Sequence, residues 1–208
     1  MIPVVSVPAT IADVPFYSQF TDISSVTWKK QGCGVASVAM VVDYYSTEPV
    51  SVNKMLTQAI ASGAYLKSAG WTHKGLVQLA QKYGLDGKAY DLTSSSSKVA
   101  FAAFKTQLLT GPVIASVHYK FDPKSTIPHL VVIDGIDKDF VYYNDPAADG
   151  GQKKISTAVF LKAWKQKFIV IRPLDSKKVA TVESTNTGFF ARFFTRSLGD
   201  QFRNGNAA

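Results

Sequence analysis

The chain contains one cysteine, Cys33, in the run Gln31-Gly32-Cys33-Gly34-Val35-Ala36-Ser37. A lone thiol cannot form an internal disulfide, nor a structural zinc site, which takes two to four thiolates. That leaves packing or reactivity. The residues after it, Gly34–Tyr45, are apolar on nearly every side and predict a buried helix beginning at the cysteine. A thiol at a helix N-terminus meets the positive end of the macrodipole and unpaired backbone N–H groups, both of which favour thiolate. The glycines on either side are expected to clear room for a substrate carbonyl and the chain to approach closely.

A nucleophilic thiolate needs a base, usually a histidine held by a third group. The chain offers three. His73 falls in the first turn of a predicted surface helix, where a capping or solvated role is expected, and His118 ends a strand read as an edge. His129 opens a segment that reads as a hairpin to Pro146, with its turn near Asp137. A register symmetric about Asp137 sets His129 opposite Asp145, on one sheet face with Val131, Ile133, Val141 and Tyr143. Directly opposed side chains lie ~5 Å apart at Cβ, close enough for a carboxylate to fix one imidazole tautomer. A slip of one residue would put Asn144 on that face instead. An oxyanion would be held by the Cys33 backbone N–H and a side-chain amide, for which Gln19 and Gln31 compete.

Elements able to position these groups follow from caps and periodicity. Ser51–Ala61 and Thr72–Tyr83 each open on a hydroxyl N-cap and are followed by Gly63 and Gly84. Ser97–Leu109 is a helix with Val99, Phe101, Phe104 and Leu108 on one face, ending at Gly111-Pro112. Strand periodicity follows at Val113–His118, Leu130–Ile133, Phe140–Tyr143 and Phe168–Ile171, with a last helix at Ser156–Lys167. Helices first and a mostly antiparallel sheet later make the class α+β. The chain divides into an extended arm (1–12), a compact domain (13–174) and a polar linker and tail (175–208).

At 208 residues, 46% hydrophobic and 18% charged, the chain is long enough for a proper core and too apolar for disorder. No apolar run approaches the ~20 residues of a spanning helix. The start carries two prolines and no basic region, so it reads as no intact signal peptide, and the reading leans to a secreted or cell-envelope protein. The formal charge of +8 permits anionic partners; no nucleic-acid motif accompanies it. Lys153, Lys154, Lys162, Lys165 and Lys167 are read as a solvated face around the last helix. In the tail, Phe189/Phe193 and Phe190/Phe194 form i, i+4 pairs beside Arg192 and Arg196. Residues 188–203 thus read as an amphipathic helix that docks on the domain or contacts a membrane surface or partner.

The ordered blocks resemble a known family. Val14-Pro15-Phe16-Tyr17-Ser18-Gln19, then Gly32-Cys33-Gly34-Val35-Ala36-Ser37 leading into Met40–Tyr45, are similar to the N-terminal blocks of papain-like cysteine peptidases of the bacteriocin-processing type, peptidase family thirty-nine. Gly111-Pro112-Val113-Ile114, His129–Ile133 and Asn144-Asp145-Pro146 continue the likeness across residues 13–172. The resemblance implies a papain-like fold with Cys33 as nucleophile, His129 as base, Asp145 as orienter and Gln19 as oxyanion donor. It implies a peptide or protein substrate and neither cofactor nor metal. The family usually has proline where this chain has Val35, from which altered local rigidity rather than lost chemistry is expected. Transporter-fused members cut leader peptides after a double glycine. These residues include neither the membrane spans nor the ATPase of that role, so the expectation stops at an amide bond. A papain-like acyltransferase and a catalytically idle peptide-binding domain are the alternatives.

Overall fold

The computed structural model describes residues 11–174; the arm before residue 11 and the proposed helix at 188–203 lie outside the described residues. The first half is helical: α1 (Val26–Lys29), α2 (Cys33–Tyr45) and α3 (Val52–Ala61), then a small ladder of β1 (Tyr65–Leu66) and β2 (Gly70–Trp71), then α4 (His73–Gln81). The second half carries the sheet: β3 (Leu85–Asp91), α5 (Ser97–Leu108), β4 (Val113–His118), a short 3-10 turn (Tyr119–Phe121), β5 (Pro128–Ile136), β6 (Phe140–Asn144), β7 (Lys153–Ser156), α6 (Thr157–Ala163) and β8 (Trp164–Pro173).

The predicted caps act as read. Ser51 accepts from Lys54 N–H, Thr72 from Gly75 N–H and Ser96 from Val99 N–H. Gly63 and Gly84 sit at φ +69° and +76°, the left-handed conformation that ends a helix.

The six large strands run in the order β3-β8-β4-β5-β6-β7, every described pair antiparallel. Alternation along the strands divides the core in two. Ile114, Leu130, Val132, Ile169 and Ile171 face α2–α4, while Val113, Val131, Ile133, Phe168 and Val170 face α5 and α6. Residues 35–42 of α2 are all buried, so this helix is enclosed by its neighbours and the sheet.

Four expectations are corrected. The last helix stops at Ala163, and Trp164–Lys167 belong to β8, so Lys165 and Lys167 are strand residues. On α5 Phe104 is buried and Phe101 and Leu108 pack against the core as expected, but Val99 is exposed and Ala100 is buried in its place. His118 lies on β4, an interior strand, with Nδ1 2.7 Å from the Ser125 carbonyl. The hairpin is not symmetric about Asp137: Val132 pairs with Asn144 and Ile133 with Tyr143, and a bulge at Asp134 shifts the remainder. The turn is tightened by Asp137, whose carboxylate accepts from Asp139 N–H, Phe140 N–H and the Tyr142 hydroxyl.

Candidate active site

Cys33 is the first residue of α2 and is partly exposed. The room at its glycine neighbours is taken up by close approach of the chain. A Cβ on Gly34 would stand 2.7 Å from the Trp71 ring, and one on Gly32 would collide with Ile23 and approach Gln19 Cβ to 3.3 Å. The glycines therefore draw Trp71 and Gln19 against the start of α2. Trp71 is tied there by its indole N–H, which donates to the Gln31 carbonyl, and it stacks edgewise on Tyr65 at 5.0 Å.

His129 lies near the start of β5, and Asp145 follows the last residue of β6. The observed register extends to place Asp145 beside Val131, so His129 and Asp145 meet diagonally rather than directly. The displacement is two residues, an even number, which preserves the face. The imidazole Nε2 is 2.6 Å from Asp145 Oδ1, and both residues are buried. The same oxygen accepts from Ala147 N–H at 2.8 Å, fixing the carboxylate independently of the histidine. With Nε2 committed to Asp145, Nδ1 is the nitrogen left over, and Cys33 is close enough to the ring to raise its pKa. Burial pulls His129 down, but Asp145 and Cys33 outweigh it and lift the imidazole to about 9. Tyr119 meets the ring edge to face at 5.2 Å.

Gln19 is 3% exposed and reaches the same place through its backbone and its side chain. Its N–H donates to the carbonyl of Pro146, next to Asp145, and its Nε2 donates to the Lys29 carbonyl at 2.8 Å. One N–H of that amide is thereby held and the other is left over. Gln31 is exposed, and its carbonyl is taken by Trp71, so the structure brings Gln19 rather than the Gln31 amide into the buried frame.

Cys33, His129 and Gln19 line one cavity of about 770 Å³. His73 also faces it, with Nε2 2.9 Å from Ser116 Oγ. It is thus half-buried within the site rather than on a surface helix, and burial and Lys167 hold it below its ordinary range. The clue to it is Trp71 two residues earlier, but no spacing rule joins the pair to Ser116.

Asp134 is also buried, and its signal in the sequence is a charge directly after the apolar run Leu130–Ile133. Burial pushes its carboxyl up to about 8, against one hydrogen bond from Asn144 at 3.1 Å, and its Oδ1 has no partner. Among the described residues, no cluster of three or more His, Cys, Asp or Glu could hold a metal ion.

A partly exposed thiol opening a buried helix, faced across a cleft by a histidine that a carboxylate secures, places the molecule in the papain-like class. More narrowly, the chain belongs to the Peptidase_C39 like family, whose profile matches residues 11–168. It is 27% identical over 142 residues to the pediocin PA-1 transport/processing ATP-binding protein PedD of Pediococcus acidilactici. That stretch is 68% of this chain and only 17% of that protein. Solved structures share the fold. A putative C39-like peptidase from Bacillus anthracis is 24% identical with a TM-score of 0.57, covering 81% of this chain and 98% of its own. A double glycine motif protease from an AMS/PCAT transporter, in complex with a leader peptide, is 23% identical with a TM-score of 0.52, covering 78% and 94%. The peptidase domain of Streptococcus ComA is 21% identical with a TM-score of 0.54, covering 70% and 93%.

Proposed function

We propose that the protein is a cysteine peptidase acting through Cys33. The observation that carries this is His129, held 2.6 Å from a buried carboxylate and lining the same cavity as the thiol at the start of α2. The Cys33 thiolate attacks a peptide carbonyl, and the carbonyl oxygen becomes an oxyanion. The Cys33 backbone N–H and the spare N–H of Gln19 meet that charge. The His129 imidazolium gives its proton to the leaving amine as the C–N bond breaks, leaving a thioester on Cys33. His129, now neutral, takes a proton from water, whose oxygen attacks the thioester. The acid departs, and the thiolate–imidazolium pair is restored. Asp145 touches neither substrate nor thiol; it positions His129 and stabilises its charge.

Among the relatives, PedD is a transport/processing protein and the AMS/PCAT protease is bound to a leader peptide. For this chain the proposal stops at a peptide amide bond. Because Cys33 is the only thiol, an iodoacetamide-type probe reads it without background. The expected result is rapid labelling near neutral pH, slowed in His129→Ala, with peptide cleavage lost in Cys33→Ala. Labelling at the rate of an ordinary thiol would refute the proposal. Capture of the acyl group by an added amine in preference to water would instead assign a transferase.

A further inference from the structure

The lysines nearest the site do not belong to one solvated helix face. Lys30 follows α1, Lys67 lies in the β1–β2 turn, and Lys165 and Lys167 stand two residues apart on β8; all four line the cavity that holds Cys33. No aspartate or glutamate lines it. At the chain's ratio of 23 basic to 15 acidic residues, four lysines would be accompanied by about two or three carboxylates in an indifferent sample. Among the described residues, only Lys167 has an acidic partner, Asp91 at 2.8 Å, which lies on the neighbouring strand β3 outside this cavity. Lys30, Lys67 and Lys165 have no carboxylate partner among those residues.

The rest of the lining suits the stem of an acidic side chain. Trp71, Tyr65 and Leu130 offer apolar surface, and His73 with Ser116 offers hydrogen-bonding groups that carry no negative charge. A concave wall with one sign of charge focuses its field into the cleft.

We propose that this cleft selects acidic peptides, seating a glutamate or aspartate side chain close to the scissile bond among Lys67, Lys165 and Lys167. The inference deepens the peptidase reading and rests on it for the position of the bond. The lysines recognise the carboxylate by charge. His73 and Ser116 are placed to complete its hydrogen bonding. A substrate lysine at the same position meets Lys67 and Lys165, whose charges no carboxylate among the described residues offsets.

The test pairs binding with cleavage. Fluorescent peptides that differ only in Glu, Gln or Lys at each position flanking the cut are titrated onto Cys33→Ala, and the same peptides are offered to the intact enzyme. At least one position is expected to favour Glu over Lys by about tenfold in Kd and in kcat/KM, from two or three partly exposed ion pairs. The preference should narrow in 0.5 M salt. Lys67→Glu combined with Lys165→Glu should invert it. Lys67→Gln with Lys165→Gln, less perturbing to the fold, should flatten it while the circular dichroism spectrum stays that of the parent. Equal affinity for Glu and Lys peptides at every position would overturn the inference, as would a preference that survives both pairs of substitutions. Efficient cleavage without charge preference removes the acidic cleft alone. Charge-selective binding without any cleavage removes the peptidase reading and leaves the cleft as an acidic-peptide site.

Discussion

The substitution Asp145→Asn separates two roles that a carboxylate beside a histidine can play. Asn preserves the size of the side chain and an oxygen able to accept from Ala147 N–H, so the loop after β6 keeps its anchor. What it removes is the charge facing His129 Nε2 across 2.6 Å. That imidazole is lifted from 6.5 to about 9, which at roughly 1.4 kcal/mol per pH unit is about 3 kcal/mol in favour of its charged form. Without the Asp145 charge, burial pulls downward and Cys33 upward, and the ordinary 6.5 is the reference. At pH 8 the imidazolium fraction would then fall from about nine-tenths to about one-thirtieth, a loss of about thirtyfold in the acid that protonates the leaving amine. The assay is kcat/KM against pH with a peptide substrate. The alkaline limb is expected near 9 in the wild type and roughly two pH units lower in Asp145→Asn, with the largest deficit above pH 7. Stability should follow the same group. His129 has a raised pKa in the folded protein, so its contribution is full below about 6.5 and lost as pH rises through about 9. The variant should lack that decline. A uniform drop in rate at every pH, with the alkaline limb unmoved, would refute the electrostatic role and leave Asp145 a purely steric support.

Three further outcomes are expected. Gly34→Ala drives a methyl group toward the Trp71 ring, 2.7 Å from the new Cβ, and should cost about 1–3 kcal/mol in denaturant unfolding; an unchanged midpoint would contradict the packing role of the glycine. Gln19→Ala should lower kcat by roughly 10²–10³ with little change in KM if its spare N–H meets the oxyanion, and a change confined to KM would argue against it. Asp134 has its carboxyl raised by burial to about 8, so its contribution to stability is complete below about 3.9 and declines as pH rises toward 8. Asp134→Asn should therefore flatten the thermal midpoint between pH 4.5 and 6.5, below the range of His129; identical slopes in the two proteins would show that the carboxyl is ionised there.

The parts of the molecule that the chain announced most clearly were those governed by local rules. Ser51, Thr72, Gly63 and Gly84 mark helix ends through hydrogen bonds and φ values that need no distant partner. The His129–Asp145 pairing was found by alternation, and it survived an error in register because the displacement was even. Where a neighbour decides, local reading failed. Ser156–Lys167 has a continuous helical pattern, yet Trp164 is drawn into β8 because that strand fills the place between β3 and β4. The polar strand Leu85–Asp91 gave no apolar alternation because it lies at the sheet edge with half its residues exposed. The glycines beside Cys33 signalled a close approach, but only the three-dimensional contact with Trp71 shows what makes it. Likewise, the charge of +8 had no direction until β8 brought Lys165 and Lys167 to the cavity.

The place of β8 has a consequence for how the protein comes to exist. This strand, the last one described, lies between β3 and β4, so neither has its full set of partners until Trp164–Pro173 has been made. Cys33 and Gln19 leave the ribosome more than a hundred residues before the sheet that frames His129 can close. A nascent chain therefore has a long interval in which the thiol is present and the assembled site is not. Synthesis itself delays assembly of the site, and a ribosome stalled just before β8 leaves β3 and β4 without the strand that joins them. Strands β4 to β7 pair in chain order, so the step that waits for β8 is the joining of β3 to β4 across it.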